Sequence, residues 1–333
     1  RFGGSKATES AVEAALRWLA RHQEADGHWN AGKYGATEKT KGDVGCTGLA
    51  LLAFLGAGHT NKVGKFRDNV QRSIYWLMKQ QEDNGCISVT RGRLGYNHAI
   101  AGLALAEAYG MTKGPGLRAS AQKAVDYSVN IHQKPYSGWR YNPKSSPDTS
   151  VTGWFVMQLK SAKIAGLKVD ATGFQGATNW LNRVTTKEGY VGYTSARRDS
   201  CMTAVGMVCR QFMGVPNNDP ILKGGADLLA TATPQWGDAR GHGRERGFYY
   251  WYYGTLCMFQ MGGEHWNAWN KAMKKTLLEN QRKGGPMDGS LDDVDGSWDP
   301  KSWIDPYGGR VMTTAMGALT LEVYYRYLPM YTK

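Results

Sequence analysis

The chain alternates between two kinds of helical segment. Segments rich in apolar and small residues recur at 45–58, 95–111, 149–167, 199–214, 247–263 and 309–327. A more amphipathic segment precedes each of them. In the first, Ala11 to Trp29, residues Ala15, Leu16 and Leu19 recur at helical spacing. Successive apolar segments begin about 50 residues apart, so the pattern predicts a repeat of six helical hairpins.

The two kinds of helix need different surroundings. An amphipathic helix has one face for water, whereas a helix that is apolar all round must be buried on every side. Two concentric rings, with amphipathic helices outside and apolar helices inside, satisfy both needs. A straight solenoid is the alternative, but it leaves one side of the inner helices wet. The pattern therefore predicts an all-α fold, an α/α toroid that forms one domain over residues 1–333.

The chain is strongly basic. Lys and Arg number 41 against 28 Asp and Glu, a formal net charge of +13. Such a charge favours anionic partners such as phosphates, acidic polysaccharide or a membrane surface, although a merely soluble basic protein is the open alternative. The basic residues are dispersed and form no recognised motif, so nucleic-acid binding is not predicted. No apolar run approaches the ~18 residues that a transmembrane helix needs.

Neither the first residue nor the five cysteines indicate the cellular compartment of the protein. The first residue is Arg1, which indicates that the chain starts inside a longer product, so the cellular compartment is not predicted. The five cysteines are widely spaced and odd in number. They fit neither a disulfide scaffold nor a zinc ribbon, and we expect most of them to be small buried residues.

A Gln and Trp signature ends several of the amphipathic segments. Gln23 is followed by Gly27 and Trp29, and Gln133 by Gly138 and Trp139; Gln81-Gly85 and Gln281 with Gly296-Ser297-Trp298 are variants. This signature resembles the Gln-Trp repeat of squalene and hopene cyclases, shared more loosely with protein prenyltransferase β subunits. The resemblance covers residues 8 to 328 and implies an α/α toroid of six hairpins. Gln can bridge unpaired backbone groups at a helix end, and Trp can cover the turn.

The residues that open the apolar helices are the candidates for catalysis. In a ring, the N-termini of the inner helices converge on one electropositive mouth. Asp148, Asp199 and His98 lie at such positions, and we predict them as catalytic acid–base groups. The alternatives are that the aspartates only cap their helices and that His98 is a packed histidine.

The complete motifs of the resembling families are missing. Cyclisation initiated by a proton needs an Asp-x-Asp-Asp motif, which this sequence lacks. Asp292, Asp293 and Asp295 lie in a glycine-containing loop, and we predict this loop to be solvated. The Gly-Cys-Gly-Glu-Gln motif of internal thioesters is absent too.

Zinc-dependent prenyl transfer is only partly matched. Asp199 and Cys201 resemble the Asp-x-Cys metal ligands of prenyltransferase β subunits. The third ligand, a His at the start of the last inner helix, is missing. We therefore predict no cofactor, with zinc at Asp199 and Cys201 as an open alternative.

A basic and aromatic ligand site is predicted at the same mouth. The residues proposed to line it are Arg198, Arg244, Arg246, Arg310, Tyr249, Tyr250, Trp251, Tyr253 and Trp154. Arginine suits phosphate or carboxylate groups, and aromatic walls suit apolar chains, cationic intermediates or sugar rings. Ordinary aromatic packing between the helices is the alternative.

The leading functional hypothesis is a terpenoid-cyclase-like or prenyltransferase-like toroid. It would bind an apolar or isoprenoid-like small molecule with an anionic head in its central cavity, and catalysis is left open. The first alternative is a non-catalytic interaction domain. The second is a toroid enzyme that acts on acidic polysaccharide, with a carboxylate or Tyr beside Arg in a wide groove. Contact with a membrane surface is a further possible partner interaction.

Overall fold

The structure, a computed structural model, describes residues 3–37, 42–88, 94–237, 247–301 and 307–326. Its α-helices are α1 (Lys6–Arg21), α2 (Asp43–Gly56), α3 (Arg67–Lys79), α4 (Leu94–Thr112), α5 (Pro115–Asp126), α6 (Thr149–Ala165), α7 (Ala171–Arg183), α8 (Ser200–Phe212), α9 (Pro220–Ala230), α10 (Phe248–Met261), α11 (Gly263–Asn280), α12 (Gly309–Leu321) and α13 (Val323–Arg326). A 3-10 helix covers Ala31–Tyr34, and a π-helical turn, Tyr127–His132, follows α5. The described residues contain isolated β-bridges but no strand, as an all-α fold requires.

The chain divides into two compact units. The first unit consists of Arg1–Trp76 and Thr233–Lys333, and the second of Leu77–Ala232. The second unit contains α4 to α9, whereas α1, α2 and α10 to α13 belong to the first. Each unit has its own buried side chains.

In the second unit the predicted alternation of buried and amphipathic helices is present. Every residue of α8 except Arg210 is buried, and α6 is buried along most of its length. In contrast, α7 buries only one side, which includes Ala177, Trp180 and Leu181. Its neighbours α5 and α9 also bury one side each. The apolar helices are therefore the inner ones and the amphipathic helices cover them.

The first unit follows the same rule. Every residue of α2 from Val44 to Leu55 is buried, and in α12 Arg310 alone is not. Helix α1 is amphipathic, since Ala11, Ala15 and Leu19 lie on its buried face while Glu9 and Arg17 are exposed. The distinction that the periodicity predicts thus holds in both units.

The repeated Gln residues bridge backbone groups as predicted. Gln133 Nε2 donates to the carbonyl oxygen of Ser137 in its own loop (2.8 Å) and to that of Gly173 in α7 (3.0 Å). The others make the same pair of contacts, to the loop and to a neighbouring outer helix: Gln23 to Gly27 and Asn69, Gln81 to Gly85 and Ser120, Gln281 to Gly296 and Ala11. Each Gln amide therefore ties a helix end to the next outer helix.

The repeated Trp residues are buried beneath the same loops. The indole of Trp139 is fully buried, and its Nε1 donates to the carbonyl oxygen of Ser128 (2.7 Å). Its backbone N–H donates to Thr152 Oγ1 on α6 (3.0 Å). Trp29 and Trp298 make matching bonds through Thr47 and Thr314. A buried Trp–Thr pair thus joins each of these loops to its inner helix.

Helices α4 and α6 pack side by side in the same direction. A Cβ atom at Gly95, near the start of α4, would lie 3.1 Å from Val151 near the start of α6. One at Gly110, near the end of α4, would lie 3.2 Å from the Cβ of Ala165 at the end of α6. The close approach depends on these small residues, and it places both N-termini at one end of the unit.

The loop before α12 is not uniformly solvated, so the prediction for its aspartates was wrong in one respect. Asp293 is buried, and its carboxylate accepts hydrogen bonds from Arg21 Nε (2.6 Å) and Nη2 (2.9 Å). Arg21 holds the pKa of Asp293 below its usual range against the opposing effect of burial. Trp18 Nε1 donates to the Asp293 carbonyl oxygen (2.7 Å). This loop is fastened to α1 by a buried ion pair.

The remaining global predictions concern cysteines and membrane spans. All five cysteines are buried and free, as the composition indicated. Within the residues described, no helix combines the length and apolar character that a bilayer-spanning segment needs.

Candidate functional site

The N-terminal ends of α4 and α6 meet in the second unit. Tyr96 on α4 donates from its hydroxyl to Ser150 Oγ on α6 (2.7 Å). The N–H of Thr149 donates to the carbonyl oxygen of Tyr193 (3.0 Å), which precedes α8. The ends of two inner helices and the segment leading to a third thus meet around Asp148. We call this group the Asp148 site.

Asp148 is the N-cap of α6 and is fully buried. Its Oδ1 accepts the N–H of Val151 (2.8 Å), the ordinary capping bond. Its Oδ2 lies 3.6 Å from Arg140 Nε and accepts no hydrogen bond of normal geometry from the described residues. Burial raises the pKa of Asp148 to about 6, although the N–H of Val151, the Tyr193 hydroxyl and Arg140 all oppose the rise.

Two tyrosines cover the buried carboxyl. The hydroxyls of Tyr141 and Tyr193 are 2.6 Å apart, and both side chains are half-buried. Burial raises the pKa of Tyr193, and the nearby negative charge of Asp148 raises it further. The Tyr193 hydroxyl therefore keeps its proton and lies next to a carboxyl group that can supply one.

Arginines add positive charge at the surface of the site. The Arg140 guanidinium lies over the rings of Tyr141 (5.5 Å) and Tyr193 (5.8 Å), and about a third of the side chain (32%) is exposed. Arg198 is exposed and lies over the Tyr190 ring (5.7 Å). These planar cations over aromatic rings form a surface suited to polar or anionic ligands.

Asp199 opens α8 in the way that Asp148 opens α6. Its Oδ1 accepts the N–H of Met202 (3.1 Å), so the capping interpretation is borne out for both aspartates. Its Oδ2 lies 3.8 Å from exposed Arg197. The Asp148 side chain is fully buried, whereas 10% of the Asp199 side chain is exposed. Both aspartates thus cap a helix, but their carboxylates lie in different surroundings.

The predicted zinc ligands are not joined by a third one in the described part of the chain. Cys201 is buried within α8. Across the residues that the structure describes, no group of three or more His, Cys, Asp or Glu side chains is arranged to hold a metal ion.

His98 lies in a buried network instead of at the mouth. Its Nδ1 accepts the N–H of Ile87 (3.0 Å), and its Nε2 lies 2.9 Å from Ser128 Oγ. Burial and the nearby His132 lower the pKa of His98 to about 3, so the ring is neutral. His98 takes the role that Thr152 has in the next repeat, where the threonine hydroxyl accepts the loop N–H. Its contacts match the packed-histidine alternative.

The aromatic residues nominated on α10 are all buried. Tyr250 packs edge-on against Trp269 (5.5 Å), and Tyr249 packs against Tyr253 (5.0 Å). Trp251 and, in the second unit, Trp154 are equally buried. These contacts are the ones that aromatic packing between helices produces.

Of the nominated arginines outside the Asp148 site, Arg310 is paired. Its Nη2 donates to Asp299 Oδ1 (2.6 Å) and its Nη1 to Ser297 Oγ (2.8 Å). Arg244 and Arg246 lie outside the residues that the structure describes.

Sequence reasoning missed Arg140, Tyr141 and Tyr193. A weak signal was present, because Tyr141 and Tyr193 each stand two residues after a buried loop residue, Trp139 or Val191, at corresponding points of two repeats. Their convergence on Asp148 depends on how α6 packs against the following loop.

Comparison with known proteins identifies the fold of this chain. No family model matches the sequence, and no curated protein matches it. Solved structures do match. The type II terpene cyclase MstE from Scytonema is 15% identical with a TM-score of 0.65, over 97% of this chain and 98% of that chain.

Two carbohydrate-active enzymes match equally well. The α-1,6-mannanase GH76A of Salegentibacter sp. HEL1_6 is 10% identical with a TM-score of 0.64, over 97% of this chain and 98% of that chain. An unsaturated glucuronyl hydrolase from Streptococcus agalactiae is 15% identical with a TM-score of 0.65, over 96% of this chain and 90% of that chain. The protein has an α/α-toroid fold.

The predicted resemblance to cyclase-like toroids is therefore confirmed at the level of the fold. Identities of 10–15% carry no information about the ligand. The toroids that match include a terpene cyclase, a mannanase and a glucuronyl hydrolase. Function must accordingly be argued from the Asp148 site.

Proposed function

We propose that this toroid is a hydrolase of polysaccharides that uses Asp148 as its proton source. One observation carries the proposal: a fully buried carboxyl group with a pKa of about 6 lies beside the Tyr193 hydroxyl. A general acid works best when its pKa is near the operating pH, and an ordinary aspartate, with a pKa near 3.8, would already be ionised there.

The proton travels by a short relay. Because Asp148 is buried, its carboxyl does not touch the substrate, whereas the half-buried Tyr193 hydroxyl does. Tyr193 gives its proton to the glycosidic oxygen as the C–O bond breaks, and it takes the Asp148 proton in the same step. The leaving sugar departs as an alcohol, and Asp148 is left as a carboxylate near Arg140.

Asp199 supplies the base. Its partly exposed carboxylate accepts a proton from the attacking water, whose oxygen bonds to the anomeric carbon. Two carboxyl groups in unlike surroundings are the pattern of glycoside hydrolysis, and here Asp148 is fully buried whereas Asp199 is partly exposed. The proton on Asp199 then returns to solvent, and Asp148 is reprotonated for the next cycle.

The chemistry of the site favours a sugar over an isoprenoid chain. Around Asp148 the described side chains offer hydroxyls and guanidinium groups, as in Tyr96, Tyr141 and Arg140. Sugar rings bind through such hydrogen bonds and by stacking on aromatic faces. The aromatic residues of α10, which an isoprenoid chain would need, are committed to packing.

The test is turnover of a defined polysaccharide panel by wild-type protein and Asp148→Asn. The panel contains α-1,6-mannan, starch, alginate and hyaluronan, and release of reducing ends is measured. We expect at least one substrate to be hydrolysed and Asp148→Asn to lower kcat/KM by 10²–10⁴-fold, the usual contribution of a general acid. Asparagine retains the cap on α6 and carries no charge, so the variant should melt no lower than wild-type protein at neutral pH.

The matched control is Asp170→Asn. Asp170 caps the outer helix α7 through Thr172 N (2.9 Å) and is exposed. This variant should hydrolyse the substrate at the wild-type rate. Equal activity of wild-type protein and Asp148→Asn would remove Asp148 from its role, and no turnover of any glycan would favour the interaction-domain alternative.

A terpenoid cyclase is the second candidate, because the same buried protonatable carboxyl is what proton-initiated cyclisation requires. A geranylgeranyl-bearing compound, the kind of substrate bound by the MstE toroid, distinguishes the two. Cyclised product that depends on Asp148, in the absence of glycan hydrolysis, would establish this candidate in place of the first.

A further inference from the structure

We infer that the Arg140 guanidinium binds an oxyanion carried by the ligand, a carboxylate or sulfate on a sugar, and that this binding is coupled to proton uptake at Asp148. The inference rests on the proposed function only for the choice of a sugar. It adds a residue, a ligand class and a link between ligand charge and the catalytic proton.

Arg140 is held in place but keeps donors available. Stacking over Tyr141 and Tyr193 fixes the plane of its guanidinium. Of its five N–H donors, one contacts a carbonyl oxygen of the described residues, that of Ser146, at a long 3.4 Å. A fixed, partly exposed guanidinium with free donors matches the geometry of a carboxylate or sulfate.

The carboxylate closest to Arg140 is buried and titratable. Asp148 Oδ2 lies 3.6 Å from Arg140 Nε, without a hydrogen bond of normal geometry. When Asp148 is ionised, it neutralises the guanidinium. When Asp148 is protonated, the guanidinium keeps its full charge and can accept an external anion. Ligand anion and Asp148 carboxylate therefore compete for one cation, and anion binding favours the protonated acid.

The other charged groups around Asp148 do not supply this coupling. Arg197 packs its aliphatic stem near Gly192, where a Cβ would be 2.7 Å from its Cγ, and its guanidinium lies 3.8 Å from the Asp199 carboxylate. The hydroxyls of Tyr96 and Tyr141 are bonded to Ser150 and Tyr193.

One histidine touches the same segment but does not titrate in the relevant range. His132 Nε2 lies 2.7 Å from the Arg140 carbonyl oxygen, and burial lowers the pKa of His132 to about 4. Between pH 5 and pH 8 its charge is constant. A pH dependence of anion binding in that range therefore reports on Asp148.

The experiment is calorimetric titration of the whole chain with D-glucuronate, inorganic sulfate and D-glucose from pH 5 to pH 8. Glucuronate and sulfate should both bind more weakly as pH rises through 6, about tenfold for each unit by which the anion raises the Asp148 pKa. Glucose should show no such dependence. At pH 6.5 the binding enthalpy is measured in two buffers with different heats of ionisation. The difference should show that the protein takes up a fraction of one proton when the anion binds.

Variants of Asp148 and Arg140 test whether these two residues cause the pH-dependent anion binding. Asp148→Asn should bind the anions with an affinity that does not change with pH, at or above the wild-type value at pH 5. Arg140→Gln should lose at least tenfold in anion affinity at pH 5, and Arg140→Lys should retain part of it because the charge remains. Arg183→Gln, an exposed arginine at the end of α7, serves as the matched control and should leave binding unchanged.

Two results would overturn the inference: wild-type anion affinity in Arg140→Gln and Arg140→Lys, or a pH dependence that persists in Asp148→Asn. If sulfate binds and glucuronate does not, the carboxylate part of the inference is contradicted, and the site is specific for sulfate groups. Monosaccharides have no glycosidic bond to cleave. Pronounced, proton-coupled anion binding without polysaccharide hydrolysis would support the inference and refute the proposed function.

Discussion

Asp148 differs from the other capping aspartates in where its second oxygen lies. Asp170 caps α7 from an exposed position, and its pKa is lowered by hydrogen bonds from Thr172. Asp148 makes the same kind of cap, yet its carboxyl is buried and its pKa is raised. An aspartate N-cap thus yields an ordinary carboxylate at one helix and a protonatable acid at another, because desolvation depends on the surrounding fold.

Asp148 should make stability depend on pH. Its folded pKa of about 6 exceeds the ordinary 3.8, so the folded state binds the proton more tightly than the unfolded state does. The stabilisation is full below pH ~4 and is lost as pH rises through 6, by about 3 kcal/mol in total. Urea unfolding should therefore show that, between pH 3.5 and pH 7.5, wild-type protein loses about 3 kcal/mol of unfolding free energy relative to Asp148→Asn. A constant difference would contradict the raised pKa.

The buried histidines should act in the opposite direction. Burial lowers the pKa of His132 to about 4, from an ordinary value of 6.5, so the folded state excludes a proton that the unfolded state binds. The contribution to stability is full above pH 6.5 and falls as pH drops towards 4. His132→Gln should reduce the loss of unfolding free energy between pH 7 and pH 4.5 by about 2–3 kcal/mol. Wild-type acid sensitivity in this variant would show that other groups cause it.

At the scale of elements, polar side chains connect helix ends that backbone bonds cannot reach. Each repeated Gln spans a loop carbonyl and a carbonyl of the neighbouring outer helix, in both units. In the loop that has Ile87 in place of Trp, His98 replaces the threonine and accepts the loop N–H. The hydrogen bond from the loop N–H to an inner-helix side chain is thus kept while the residues that make it vary. This explains why the Gln and Trp signature is incomplete in the sequence.

Gln133→Ala tests this role. The change leaves the carbonyl oxygens of Ser137 and Gly173 without their donor in a buried environment, so we expect the free energy of unfolding to fall by about 1–3 kcal/mol. Gln175→Ala is the matched control, because Gln175 donates only to Asn179 on the exposed face of α7. Urea unfolding of both variants gives the comparison, and equal destabilisation would contradict a bridging role.

At the scale of the whole molecule, the formal charge of +13 is a property that no single site explains. Fold comparison assigns an α/α toroid, and toroids carry unrelated chemistries. A positive molecule attracts polyanions over the Debye length, about 8–10 Å at physiological salt, and so raises their local concentration before any specific contact forms.

Charge should therefore separate anionic from neutral polysaccharides. We expect alginate and hyaluronan to bind at low ionic strength and to lose affinity at least tenfold between 50 mM and 300 mM salt, because exposed charges are screened. Binding of α-1,6-mannan should be insensitive to salt. Affinity electrophoresis at the two salt concentrations measures both. A salt-independent affinity for the anionic glycans would show that net charge does not contribute.

Much of the fold followed from local pattern. The alternation of amphipathic and all-apolar segments predicted which helices are inner and which are outer, and α7 and α8 show both kinds as expected. The Gln bridges were predicted because a side chain and its loop lie within four residues of each other. Such features depend on neighbours in sequence, and periodicity records them directly.

The candidate site depended on distant neighbours. The sequence by itself determined the helix-opening positions of Asp148 and Asp199, whereas only the tertiary structure decided that Asp148 is fully buried beside Tyr193 while Asp199 is partly exposed. The same holds for Asp293, which looked solvated until the packing of its loop against Arg21 was known. A pattern fixes where a side chain stands on its own helix. Its pKa, partners and access to water depend also on groups from other segments, Tyr193 for Asp148 and Arg21 for Asp293, which come together only when the helices pack.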